Sequence, residues 1–205
     1  MKAIFRYLAR KVFGSYRVNW VFANSAPSQM SLDPVYELRE IDDVLCSQIA
    51  SSNTRKLARS LMFARAGMDG FAVVRQGRPV CVAHFARPGQ YDEWDVWPLR
   101  TGERALVDIT TEQSARGLGI APQLIAAMTR RYLEEGTCRL IAFAWWSNRP
   151  SIRMFAKAGW VKIGFSIDVM LAGKRRHVHI PLRQRGRARA DVCVSGGTSR
   201  RPLKT

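Results

Sequence analysis

Six residues, Arg116-Gly117-Leu118-Gly119-Ile120-Ala121, stand between an alternating apolar run (Ala105, Val107, Ile109) and a stretch from Ile120 to Glu135 with helical periodicity. A strand that gives way to a helix through two glycines turns tightly, and the helix starts on backbone with no side chain over it. The first N–H groups of a helix lack intrahelical acceptors and carry the positive end of the macrodipole, so the pattern reads as a phosphate cradle. On these six residues alone a plain strand-to-helix connection stays open.

What surrounds the cradle narrows the choice. The spacing Arg116-x-x-Gly119-x-Ala121 resembles the Q/R-x-x-G-x-G/A acetyl-CoA motif of the GNAT superfamily of N-acetyltransferases. Past a second strand at 139–144 comes Asn148-Arg149-Pro150-Ser151-Ile152-Arg153-Met154-Phe155-Ala156-Lys157-Ala158-Gly159-Trp160. This run is similar to the family segment N-x-x-A/S-x-x-x-Y/F-x-K-x-G-F/W at each of those spacings. The likeness extends from about Tyr36 to Pro181, with its specific residues confined to 105–160.

The resemblance implies an α/β (α+β) fold, a mixed and mostly antiparallel sheet splayed at the acetyl-CoA site and flanked by helices. It implies acetyl-CoA as co-substrate. The pantetheine arm would lie against the backbone of Thr110 and Thr111, the pyrophosphate on Arg116, Gly117, Leu118, Gly119, Ile120 and Ala121, and the second motif would add Asn148 and Ser151. No metal is expected. Acyl transfer to an amine needs a deprotonated nucleophile, a polarised carbonyl and a leaving thiolate. Asp108 and Glu112 are the carboxylates nearest the diverging strand and hence the candidate bases, although a strand carboxylate also reads as a structural acceptor. Many family members place a tyrosine where Phe155 stands, to protonate the departing sulfur. Phenylalanine has no proton to give, so that role passes to water or another group, and a non-catalytic relative stays open.

Charge is unevenly spread along the 205 residues. Of the net +17, residues 1–20 carry five basic residues and no acid (+5), residues 174–205 carry ten basic residues and only Asp191 (+9), and 21–173 keep +3. A nearly balanced module therefore has two basic arms. Cys46, Cys81, Cys138 and Cys193 form no C-x-x-C pair, which argues against a zinc site or a disulfide framework and for a reducing compartment. His177 and His179 share one face of a late strand with no third ligand near, and read as surface histidines.

Four stretches follow: a basic amphipathic helix over 1–23, a linker over 24–35, the acetyltransferase-like domain over 36–182 and a disordered basic tail over 183–205. Ile4, Phe5, Leu8, Val12 and Tyr16 recur at helical spacing opposite Lys2, Arg6 and Arg10. That face suits an anionic membrane surface, which residues 1–20 would touch from the cytoplasmic side, or packing on the domain itself or on a second subunit as a homodimer. Within the module, helical segments broken near Ser51-Ser52-Asn53 precede a hairpin around Gln76-Gly77-Arg78-Pro79. The acidic and aromatic stretch 88–98 is a candidate acceptor pocket or a solvated loop, and Trp145-Trp146 reads as core or pocket wall. The expected function is acetyl transfer to the primary amine of a small molecule, such as an amino sugar or cell-envelope precursor. Alternatives are a protein amine as acceptor, or a non-catalytic relative binding RNA or other polyanions through its arms. Against nucleic acid, the arms lack interleaved aromatic residues and the core has no RNA-reading motif.

Overall fold

The apolar runs condense into one eight-stranded sheet, seen in a computed structural model that describes residues 16–52, 54–90, 97–171 and 174–182. In chain order the elements are β1 (Tyr16–Asn24), β2 (Glu37–Glu40), α1 (Asp43–Ala50), α2 (Arg55–Arg65), β3 (Asp69–Arg75), β4 (Arg78–Ala86), β5 (Glu103–Thr111), α3 (Ile120–Glu134), β6 (Arg139–Trp145), α4 (Arg149–Lys157), β7 (Val161–Leu171) and β8 (Lys174–Pro181). The strand order is β2-β3-β4-β5-β6-β1-β7-β8. Every neighbouring pair is antiparallel except β5 with β6. This is the mixed, mostly antiparallel sheet with flanking helices that the resemblance implies.

Local chemistry explains most of the elements. Gln76 and Gly77 both take positive φ (50° and 73°), the two-residue geometry that matches the twist of a hairpin, and Arg75 faces Arg78 across it. Asp42 caps α1 by accepting from the N–H of Leu45 at 2.8 Å. The two sheet faces bury different helices. Ile120, Leu124, Tyr132 and Phe155 of α3 and α4 pack on Phe71, Phe85 and Leu106, while Leu45, Ile49, Leu57 and Leu61 of α1 and α2 cover Ala72, Val74 and Val82.

The N-terminal part departs from the expectation of a helix over 1–23. Residues 16–24 form β1, which lies between β6 and β7 and is hydrogen-bonded on both sides. Its apolar residues serve both faces: Phe22 enters the α3 and α4 core, Val21 and Ala23 the other. A strand buried on both faces has apolar side chains at consecutive positions, and that pattern imitates one turn of a helix. Residues 1–15 and 183–205, and with them the membrane and tail expectations, lie outside the described residues. Among the described residues no helix is long and apolar enough to cross a membrane.

The segment read as a linker is a strap across α3. The Asp33 N–H donates to Gln123 Oε1 (2.9 Å), and the Arg130 guanidinium donates to the carbonyls of Ser28 and Met30 (3.0 and 3.4 Å). Leu32 packs against the main core. Cys46 and Cys81 are free thiols.

Because β1 joins the β7–β8 hairpin to the rest of the sheet, its packing should matter to the whole fold. Phe22 is 1% exposed and stacks on Phe155, with ring centroids 4.7 Å apart. Phe22→Leu is expected to cost about 1–2 kcal/mol, read as a lower urea midpoint at unchanged slope. A loss under about 0.5 kcal/mol, the range of surface substitutions, would contradict a central place for β1.

Candidate active site

Strands β5 and β6 run parallel but part company. They pair from Glu103 with Arg139 to Leu106 with Ala142, and no pairing joins Val107–Thr111 to Phe143–Trp145. On its outer side each strand stays bonded, β5 to β4 as far as Thr111 and β6 to β1 as far as Trp145. The result is a wedge between two strands that are each anchored on the other edge.

A bulge marks the place where they separate. Across β4, His84 faces Asp108 but Phe85 faces Leu106, so Val107 is an extra residue. Bulges bend a strand and re-aim the side chains beyond them. Ala105, Val107 and Ile109 were expected on one face. Instead Ala105 and Val107 pack near Met68 and Phe63, while Ile109 joins the α3 core. The same shift turns Asp108 away from α3, onto the face that carries His84 and α2.

The cradle stands at the C-terminal end of β5. Gly117 and Gly119 have φ of +83° and +76°, a conformation that side chains rarely adopt. A Cβ at Gly117 would meet nothing within 4 Å, and one at Gly119 only the tip of Gln123 at 3.7 Å. Gly119 is the N-cap of α3, no side chain caps the helix, and its first turn has no acid. The first amides of α3 are thus bare of side chains and suit a diphosphate. Among the described residues, no group of three or more His, Cys, Asp or Glu side chains is arranged to hold a metal.

The other anticipated residues divide. The Thr110 hydroxyl donates to Asp108 Oδ2 at 3.5 Å, the Thr111 hydroxyl contacts Cys81 Sγ at 3.2 Å, and the Thr111 carbonyl accepts from Arg116 Nε at 3.2 Å. Arg116 therefore folds back onto the wedge strand. Leu118 is 51% exposed, whereas Ile120 is buried and Ala121 packs against the main core. Asn148 caps α4, its Oδ1 accepting from the Ser151 N–H at 3.3 Å, which joins the two residues but gives them a structural task. Glu112 lies past the end of β5, where its N–H donates to the Val80 carbonyl, and so stands outside the unpaired stretch of the strand. Phe155 is core, against Phe22 and Trp160. Trp145 and Trp146 are exposed, not core. Of the stretch 88–98, residues 91–96 lie outside the described residues; Trp97 packs edge-on against His179. His177 and His179 are not surface histidines: His177 Nδ1 is 2.5 Å from Asp168 Oδ1, its Nε2 2.6 Å from that of His179.

Asp108 is the carboxylate inside the wedge. Its side chain is 24% exposed, and burial pushes its pKa up to about 6, opposed by the Thr110 hydroxyl. A carboxyl poised near neutrality is suited to take a proton. Behind it sits His84, fully buried, with Nδ1 3.9 Å from Asp108 Oδ2. Burial pushes His84 down to about 4, so this is a contact with a neutral imidazole and not an ion pair. Sequence reasoning missed His84. Its only signal was a histidine at an inward position of an otherwise apolar strand, Val80-Cys81-Val82-Ala83-His84-Phe85.

A parallel pair that splays beside a bare helix start, within an antiparallel sheet flanked by helices, defines a GNAT-like α/β fold. The profile of the Acetyltransferase (GNAT) family matches residues 34–160, and the chain belongs to that family. Among solved structures it is similar to a GNAT-family acetyltransferase from Colwellia psychrerythraea (14% identity, TM-score 0.54, 88% of this chain and 62% of that one). It is also similar to a GCN5-related N-acetyltransferase from Sphaerobacter thermophilus (15%, 0.54, 89% and 57%) and a GCN5-related N-acetyltransferase-like protein from Streptococcus suis (14%, 0.50, 80% and 66%). The chain thus spans less than two thirds of the length of each, and at these identities the likeness establishes the fold. No curated protein sequence matches the chain.

Proposed function

We propose that the protein is an acetyl-CoA-dependent N-acetyltransferase that acetylates the primary amine of a small molecule. The observation that carries this reading is the coincidence of three features at one end of β5: bare amides on α3, the unpaired stretch Val107–Thr111, and the half-buried carboxyl of Asp108. The amides hold the diphosphate, and backbone groups of the parted strand hold the pantetheine arm. Asp108 takes the proton of an incoming ammonium, and the freed amine attacks the thioester carbonyl. With Phe155 buried in the core, the thiolate leaves without help from that position.

A cavity of about 480 Å³ between α1 and α2 is lined by Asp43, Ser47, Arg65, Met68 and Gly70, and neither Asp108 nor a cradle residue is in that lining, so it is not assigned to the acceptor. The small polar amine, such as an amino sugar or cell-envelope precursor, is the part of the reading that the following test decides. The test is thiol release from acetyl-CoA by the full chain with amino sugars, polyamines and peptides in turn, each product checked by mass spectrometry. We expect N-acetylation of a small amine. Transfer to peptides alone would replace the small acceptor with a protein amine, and no transfer despite acetyl-CoA binding would overturn the enzyme reading.

A further inference from the structure

His84 is a costly residue to bury. Both ring nitrogens are shielded from solvent and neither has a hydrogen-bond partner, although buried polar groups are nearly always paired. The surroundings nevertheless make room for it. Gly70, its neighbour across β3 and β4, could not carry a side chain without crowding, because a Cβ there would lie 3.2 Å from His84 Cδ2 and 3.0 Å from Ile41 Cδ1. Phe63 of α2 closes the other side, its ring centroid 5.7 Å from the imidazole. The ring is held in place with Asp108 Oδ2 3.9 Å from its Nδ1.

That distance is about 1 Å longer than a hydrogen bond. While Asp108 is a carboxylate it has no proton to offer. When it is protonated, its new O–H needs an acceptor, and a small side-chain rotation would bring it to the Nδ1 lone pair of the neutral imidazole 3.9 Å away.

Resting on the acetyl-transfer reading above, we propose that His84 is a positioning residue, which accepts a hydrogen bond from the Asp108 carboxyl group after Asp108 has taken the acceptor's proton. The proton balance closes. The ammonium gives one proton to the Asp108 carboxylate, whose O–H then bonds to His84 Nδ1, and the amine attacks the acetyl carbonyl carbon. The carbon–sulfur bond breaks, the nitrogen's second proton goes to the CoA thiolate, and Asp108 later returns its own proton to water. By stabilising protonated Asp108, His84 makes the carboxylate a stronger base.

Few other groups face this pair. Thr110 of β5 contributes a hydroxyl, and Cys81 of β4 lies in the core on the opposite face of the sheet, where burial, with a smaller contribution from the Asp108 charge, pushes its thiol up to about 12. Phe63 of α2 brings no charge, and Asp43 of α1 and Arg65 of α2 line a cavity that Gly70 also lines.

Two variants test the role in the full chain. His84→Phe keeps an aromatic ring and removes the acceptor, whereas His84→Asn places an amide oxygen near the Nδ1 position. In His84→Phe the acid limb of kcat/KM should move down by about one pH unit and kcat should fall about tenfold, with acetyl-CoA affinity unchanged. His84→Asn should return the limb toward its original position. An unmoved limb in the folded His84→Phe protein would overturn the proposal.

A second measurement needs neither a folded variant nor turnover. The chain has three histidines, so the ¹⁵N imidazole resonances of the unmodified protein can be followed separately. His84 Nδ1 should shift as Asp108 titrates near pH 6, and a His84 resonance that stays still through that range would overturn the proposal even if no acceptor had been found.

Discussion

Replacing Gly119 with glutamate should weaken acetyl-CoA binding by at least about 100-fold, a loss of more than about 2.7 kcal/mol. Two effects combine. The backbone at 119 has φ of +76°, where a non-glycine residue costs about 1–2 kcal/mol, and that strain falls on the N-cap of α3, the proposed diphosphate site. The larger effect is charge: a carboxylate at the uncapped start of α3 competes for the same amides and repels a diphosphate. Gly119→Ala separates the two, since it brings the strain without the charge and should weaken binding by about tenfold or less. Calorimetry with CoA reads both variants. Because a Cβ at 119 meets only the tip of Gln123, the fold should survive, and a thermal melt checks this. Affinity retained in Gly119→Glu would show that these amides do not hold the diphosphate.

The bare start of α3 was legible in the sequence because its cause is local. Two glycines at the right spacing, a strand before and a helix after, determine where bare amides will lie, and no distant residue is needed. The wedge beside it was legible only through resemblance. It arises because β4 and β1 grip the outer edges of β5 and β6, and because a bulge at Val107 bends β5 where pairing with β6 stops. Nothing in Ala105-Leu106-Val107-Asp108-Ile109 announces an extra residue, so simple alternation put Ala105, Val107 and Ile109 on one face.

Two further misreadings have the same root. The residues of β1 look helical in isolation, since apolar side chains at 20–23 fit either a helix turn or a strand buried on both faces. Only its position between β6 and β7 decides. His84 likewise gains meaning from Asp108 opposite it on β5 and from Gly70 on β3. Cross-strand neighbours depend on register, and here register depends on a bulge that periodicity does not reveal.

Asp108→Asn tests whether that bulge has chemical consequences. If Asp108 is the base, the variant should lose about 10²- to 10³-fold in kcat/KM while binding acetyl-CoA normally, the range typical of a lost general base. The pH dependence gives the sharper criterion. Burial raises the carboxyl to about 6, so below that pH Asp108 is protonated and cannot accept a proton, and above it the carboxylate is competent. The unmodified enzyme should therefore gain activity as pH rises through about 6, and the asparagine variant should show no such limb. Glu112→Gln is the control, expected to change kcat/KM less than about threefold because Glu112 lies beyond the parted segment of the strand. A limb that persists in Asp108→Asn and disappears in Glu112→Gln would move the base to the end of β5. It would also leave the turn of Asp108 toward His84 as a matter of packing alone.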